Sequence, residues 1–438
     1  MTDALRVPPH LRRWSLKGAR VPGCLLEKPV AAPNPEGLVD VDMIIANGTI
    51  ESISPASTEP AAIPAFIQPG LVVPAFVDAH THLDKGHIAP RAPTSGTFAG
   101  ALEAVPRDRE AHWSAPDVET RMRFAIEAAY AYGTRAIRTH LDCKDRQTRI
   151  SWPVFAALRE EWRDRVDLQA SPLFPIDLAL DAAHLRDVTE MVYEFGHCLG
   201  AATFPGPGLQ AGLDTLFQLA GDKGWELDFH VDETDDPSVN TLAVIAQTAL
   251  DHKFNGRILT GHCCTLSLLP EEERKRTIDL VARAGIGIVS LPMCNMYLQD
   301  RYPGRTPRWR GITALHELKA AGVPVTIASD NTRDPFYAYG DLDMAEVWRV
   351  GTRITQFDHP FGDWAAAVFS TPAEALGLDG AGLLRVGASA DFVVFPARSL
   401  SEFMARPGMP RSVIRQGQTL TARVPDYSAL DHLVGLRP

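Results

Sequence analysis

The sequence predicts an α/β protein: a (β/α)8 TIM barrel with a small flanking β-domain built from both chain termini. Three observations lead there. The middle of the chain alternates short apolar runs with helical patterns, and there are eight such runs. Both ends share a different texture, with short strand-like runs and turn residues. Polar, chemistry-bearing residues recur where the apolar runs stop. Alternating β and α units imply a parallel sheet, and eight units suggest a closed one.

The elements follow in order. The first 70 or so residues are rich in Pro, and Val41-Asp-Met-Ile-Ile-Ala-Asn-Gly-Thr-Ile-Glu-Ser-Ile53 reads as two strands around an Asn-Gly turn. Strand candidates then occupy 71–77, 136–139, 167–171, 199–203, 227–231, 257–261, 287–291 and 324–329. Helical periodicity covers 117–132, 182–195, 209–223, 238–253, 271–284 and 313–321. Strand texture returns at 390–396 and at 412–420, the latter around a Gly-centred turn. The expected organisation is therefore a barrel at 71–379 and a discontinuous β-sandwich domain from 1–70 plus 380–438. The 438 residues suit a barrel of roughly 250 residues or more with an accessory domain.

Composition narrows the function. A hydrophobic fraction of 45% and a charged fraction of 22% belong to a soluble globular chain. The net charge of −11 argues against nucleic acid, which needs clustered Lys and Arg. The basic cluster Arg301-Tyr-Pro-Gly-Arg-Thr-Pro-Arg-Trp-Arg310 is broken by Pro and Gly. It reads as a solvated loop, with a substrate-contacting lid as the other reading. Six scattered cysteines without a C-x-x-C pair read as reduced thiols. The N-terminus has no apolar leader core, and no run could span a bilayer, so the expected location is the cytoplasm. Small molecules are the expected partners, with self-association open.

Reactive groups in such a barrel sit at the C-terminal strand ends. His80 and His82 close the first strand in Val77-Asp-Ala-His-Thr-His-Leu-Asp-Lys85. His230, followed by Glu233, closes the fifth; His262 closes the sixth; Asp330 closes the eighth. Side chains at i and i+2 share a face of a strand, so His80 and His82 point to one side. Imidazoles and a carboxylate converging from several strands suit Zn²⁺ or Fe²⁺ rather than a thiolate or all-oxygen site. Cys263 and Cys264 lack a second pair at metal-binding spacing and read as packing residues. Asp235 and Asp236 read either as braces for neighbouring groups or as a helix cap before Pro237. Lys85 could face the pocket or form a surface ion pair.

Phe76-Val-Asp-Ala-His-Thr-His-Leu-Asp84, His230-Val-Asp-Glu-Thr-Asp-Asp236, Thr260-Gly-His262 and Ser329-Asp-Asn-Thr-Arg-Asp-Pro-Phe-Tyr337 resemble the cytosine deaminase branch of the amidohydrolase superfamily. The resemblance implies one divalent ion, Zn or Fe, held by His80, His82, His230 and Asp330. It implies Glu233 as proton shuttle and His262 as the residue that holds or polarises the attacking hydroxide, with Asp330 also able to accept a proton; His262 stays open as a further ligand. The implied reaction is metal-hydroxide attack on a ring carbon bearing an exocyclic amine, releasing ammonia. A bound ion makes hydroxide accessible by lowering the pKa of water from about 15.7 towards roughly 7.

Recognition positions depart from that family. Where its bacterial cytosine deaminases carry a glutamine after Phe-Pro, this chain has Ile176, and Asn331 and Phe336 replace an Asp and a Trp. Ile176, Asn331, Phe336 and Lys85 are thus the candidate substrate contacts. The expected substrates are cytosine, isocytosine, or a related pyrimidine or triazine. Three rivals are weaker. A cyclic-amide hydrolase of the same superfamily needs a lysine at the fourth strand end, and 199–208 contains none. A catalytically inactive binding paralogue should have lost a ligand or the acid–base residue, and all are present. The smaller zinc deaminase fold requires H-x-E with P-C-x-x-C, and both are absent.

Overall fold

The apolar runs that alternate with helices become eight strands: β1 (Phe76–Thr81), β2 (Thr134–Asp142), β3 (Asp167–Leu173), β4 (Cys198–Leu199), β5 (Glu226–Val231), β6 (Ile258–His262), β7 (Ile286–Ser290) and β8 (Val325–Ile327). They belong to a computed structural model that describes residues 5–67 and 70–435. β1, β2 and β3 form one sheet in chain order, and β4 to β8 form a second, with every registered neighbour parallel. Isolated parallel bridges join the two sheets at Pro175 with Ala202 and at Thr81 with Asp330. Every residue of β1, β6 and β7 is buried, which is why these strands read as continuous apolar runs rather than alternating ones. A helix was not anticipated at α1 (Phe98–His112), because Pro106 lies inside it and an internal proline usually breaks a helix. The hydroxyl of Thr97 caps it, accepting from Gly100 N at 3.1 Å.

The chain divides into two compact units, one of Met1–Val77, Ala129–Arg135 and Asp343–Val424, the other of Asp78–Ala128, Ala136–Leu342 and Pro425–Pro438. In the first unit, strands from both chain ends join one eight-stranded sheet. Leu71–Pro74 lies between Arg13–Pro22 and Phe392–Phe395, so early and late segments interleave. The expected Asn-Gly turn is there, with Asn47 and Gly48 both at positive φ between Leu38–Ala46 and Thr49–Pro55. Two features differ from expectation. The strands make a single continuous sheet instead of a sandwich. The unit also begins its last segment at Asp343 rather than at 380. The physical reason is the helix Met344–Thr355, whose Trp348 packs on Phe403 at 4.7 Å while the Arg349 guanidinium stacks over the same ring at 4.0 Å. Residues 1–4, 68–69 and 436–438 of the expected terminal domain lie outside the described residues. No described helix is long and apolar enough to cross a membrane.

Candidate metal centre and active site

The strand ends converge as the spacing implied. His80 lies in β1 and His82 just beyond it, and both are buried. Asp330 follows β8 at positive φ, held by its own N–H on His80 O at 2.9 Å and by the Thr81 hydroxyl on its carbonyl at 2.7 Å. Asp78 anchors the neighbouring Ser329, accepting from its N–H at 3.1 Å and from its hydroxyl. Asp232, His262 and Cys263 are also non-glycine residues at positive φ. Left-handed backbone of this kind costs energy and concentrates at functional sites.

The side chains meet closely. The Nε2 atoms of His82 and His230 lie 3.3 Å apart, and His82 Nε2 is 3.2 Å from Asp330 Oδ1. His80, His82 and His230 offer ligand atoms within 4.8 Å of one another, and so do His80, His262 and Asp330. Both ring nitrogens of His80, Nδ1 of His82 and His230, Nε2 of His262 and both Asp330 oxygens are buried with no hydrogen-bond partner. Buried polar atoms are normally satisfied, so this nitrogen and oxygen set fits a divalent cation. Burial, with neighbouring imidazoles and Lys85, holds His80, His82 and His230 far below the ordinary histidine value, so they are neutral, the form that ligates. Burial pushes Asp330 up to about 7.

Glu233 stands beside this cluster. Its Oε1 lies 3.4 Å from His262 Nδ1, and Asn295 Nδ2 reaches both atoms, at 3.3 Å and 3.0 Å respectively. Burial and the Asp330 carboxylate raise Glu233 well above the ordinary carboxyl range, which favours a proton-carrying form. His262 is lowered to about 3, mainly by burial. Asn295 escaped the sequence reading because it sits in a short helix, Pro292–Leu298, with no pattern tying it to a strand end.

His140 was also missed. It is fully buried in β2, its ring 4.0 Å from that of His80 and 4.5 Å from that of His230. Its Nε2 is 3.9 Å from Asp228, and His80, His140 and Asp228 form a third potential ligand group. The signal was available, because His140 ends an apolar run just as His80 does.

A cavity of about 970 Å³ opens above the cluster, reached by His82, His230, Glu233 and His262. Lys85 and Phe336 line it, with Lys85 Nζ 2.9 Å from Asp142 and 5.4 Å from the Phe336 ring centre. Burial disfavours the Lys85 charge, yet Asp142 and Asp84 outweigh that and keep it above its ordinary value. Asn331 lines the cavity too, its amide donating to Asp334 at 2.7 Å. Ile176 does not belong to the lining. It opens a 3-10 turn that carries it onto the helix Leu209–Lys223, where a β-carbon on Gly212 would meet the Ile176 carbonyl at 2.7 Å. Its neighbours Phe174 and Pro175 face the cavity in its place. Asp235 accepts from the Tyr302 hydroxyl at 2.7 Å, while Asp236 caps the turn at Ser238.

The sequence profile of the amidohydrolase family matches residues 155–421. The chain is 50% identical over 437 residues to a pterin deaminase of Rhizobium rhizogenes, covering 99% of this chain and 100% of that one. It is 26% identical over 361 residues to N-isopropylammelide isopropyl amidohydrolase of a Pseudomonas species, covering 80% and 86% respectively. The crystal structure of 5-methylcytosine deaminase from Klebsiella pneumoniae with 5-fluorocytosine has a TM-score of 0.80 at 23% identity, over 94% of this chain and 98% of that one. That last likeness is one of fold.

Proposed function

The chain belongs to the amidohydrolase family and is a hydrolytic deaminase of its type, and on that premise we propose that it removes the 2-amino group of a pterin, a 2-amino-4-oxopteridine. The observation that carries this reading is the cavity of about 970 Å³ above Glu233, which has room for two fused rings. The relative named for pterin deamination supports it. Isocytosine, among the substrates expected from sequence, is the pyrimidine half of a pterin, so the reading widens that expectation by one fused ring. Cytosine and triazines become weaker candidates.

In this proposal His80, His82, His230 and Asp330 hold one divalent ion, Zn²⁺ or Fe²⁺, within a closed (β/α)8 barrel, and both chain ends supply the β-domain. When bound, the ion supplies an acidified water and a positive centre near the carbon under attack. Glu233 takes the proton of the attacking water and delivers it to the ring nitrogen beside C2. A second proton passes through Glu233 to the amine, the C2–N bond breaks, and ammonia leaves behind an oxo group. His262, oriented by Asn295, donates a hydrogen bond to the incoming oxygen. Lys85, tied to Asp142, presents its remaining N–H groups to the ring's polar edge. Asn331 and Phe336 shape that end of the pocket, and Phe98 contacts Phe336 edge to face at 5.7 Å.

The test is a panel of pterin, isocytosine, cytosine and an aminotriazine given to the metal-loaded protein, with ammonia release measured. Pterin should have the highest kcat/KM. A higher value for cytosine or the triazine would overturn the substrate assignment and leave the deaminase class standing.

A further inference from the structure

The loop that follows the helix Pro292–Leu298 is the basic segment the sequence left between two readings, and its first arginine lines the active-site cavity. The loop is folded around one carboxylate. Asp300 accepts from Trp309 N at 3.0 Å and also binds Arg308 N and the Arg305 guanidinium. Arg305 is thereby neutralised. Arg301 is held differently: its guanidinium stacks over Tyr297 at 4.2 Å, and one N–H donates to the Tyr297 carbonyl at 3.1 Å. Gly96, at φ +76, passes directly beside it, and a β-carbon there would sit 3.1 Å from the Arg301 guanidinium carbon. The arginine is therefore placed at the cavity with no carboxylate partner among the described residues.

The charges around it are unequal. Asp142 is shared by Lys85 and Arg109, and Asp300 by Arg305 and two backbone N–H groups. Asp235 accepts from the Tyr302 hydroxyl at 2.7 Å. Lys144 lines the same cavity, is exposed, and pairs with no carboxylate among the described residues. Apart from the deeper Asp232 and Glu233, the lining sets four cations, Lys85, Arg109, Lys144 and Arg301, against three carboxylates, Asp142, Asp235 and Asp300. Large apolar side chains that line the same cavity are left open to solvent: Leu102 at 50%, Phe204 at 46% and Tyr302 at 50% exposure. Open apolar groups of this size in a cavity lining suit the face of a flat ring.

We infer that the cavity is built for a pterin with an anionic substituent on its pyrazine ring, the ring resting among Leu102, Phe204 and Tyr302 and the carboxylate or similar anion meeting Arg301, with Lys144 as a second cation. The inference rests on the pterin reading above and names the branch of that class. A guanidinium donates to a carboxylate through two parallel N–H groups, which makes arginine the apt residue here.

The test compares pterin with pterin-6-carboxylate on the metal-loaded wild type and on Arg301→Gln, Arg301→Lys and Lys144→Gln. Ammonia release gives KM and kcat, and quenching of the pterin's own fluorescence gives binding directly. Wild type should have a KM for the carboxylate roughly 10-fold to 100-fold below that for pterin, the scale of a hydrogen bond to a charged group. Arg301→Gln should remove most of that ratio with kcat for the carboxylate little changed, and Arg301→Lys should restore part of it. Added salt should shrink the ratio, because the arginine is exposed. Equal KM and binding for the two compounds on wild type, or a ratio untouched by both glutamine variants, would overturn the inference and leave the pterin reading intact. Failure of wild type to bind or deaminate either compound would overturn both.

Discussion

Glu233 and the imidazole beside it divide the proposed chemistry at the residue scale, the one moving protons and the other donating to oxygen. Glu233→Gln keeps the shape and the Asn295 contact but cannot carry a proton. Metal content should be retained while kcat falls about 100-fold or more, the usual scale for general acid–base groups; near-wild-type turnover would remove the residue from the mechanism. Asn295→Ala frees His262 Nδ1 and should lower kcat by about 10-fold to 100-fold with metal retained, as supporting hydrogen bonds commonly do. An unchanged kcat would mean that His262 needs no such support. Glu233 was legible in the sequence because it follows a strand-ending histidine by three residues. Asn295 was not, because its link to His262 is made only in three dimensions.

At the scale of the element, β6 shows how tightly strands set the proposed metal ligands. A β-carbon on Gly261 would lie 2.7 Å from His80 Cε1 and 2.9 Å from its Nδ1, and the His140 ring also packs on that of His80, at 4.0 Å. His80 has no room to yield. Gly261→Ala should therefore weaken metal binding by about 10-fold to 100-fold, read by metal analysis after dialysis, and cost about 1–3 kcal/mol of stability from overpacking. Full metal content with wild-type stability would contradict the packing described here. The turn between Leu38–Ala46 and Thr49–Pro55 makes a separate claim: Gly48 lies at φ +84, so Gly48→Ala should destabilise by about 1–2 kcal/mol, measured by urea unfolding. That turn was legible from two residues of sequence. The helix α1, which brings Phe98 and Leu102 to the cavity, was hidden by Pro106.

Across the whole molecule, ligand and proton linkage govern stability. An ion that binds only the folded chain stabilises it by about 2.7 kcal/mol at a hundredfold excess over Kd. Chelation should lower the unfolding midpoint, and Zn²⁺ or Fe²⁺ should restore it; a midpoint indifferent to chelator would count against the assigned ligands. Acid acts through buried carboxylates paired with arginine. Asp117 accepts from Arg91 at 2.6 Å and 3.0 Å and from Arg121 at 2.7 Å and 3.0 Å. Burial alone would raise its pKa, but these bonds hold it below the ordinary value. A lowered folded pKa contributes stability above the unfolded value, about 3.9, and loses it as pH falls through the folded one. Asp117→Asn should accordingly cost about 3 kcal/mol or more at pH 7 and flatten the acid limb of a stability–pH curve. A variant whose curve parallels wild type would show that the pair contributes nothing net.

What the sequence determined by itself were the features written at short range. The i and i+2 spacing of His80 and His82, the apolar runs of buried parallel strands and the Asn-Gly turn each depend on residues close together in the chain, so local geometry dictates them. Tertiary structure decided the rest. It turned Ile176 onto Gly212 and away from the cavity, and it set His140 against His80. It also placed Asn295 between His262 and Glu233, and left Arg301 at the cavity while Arg305 found Asp300. These outcomes, apart from the last, join residues many positions apart, and which of them meet is settled only when successive strands and loops are brought around one centre. The candidate ligands could be read along the chain; the company those residues keep, and with it the proposed substrate, depended on the packing.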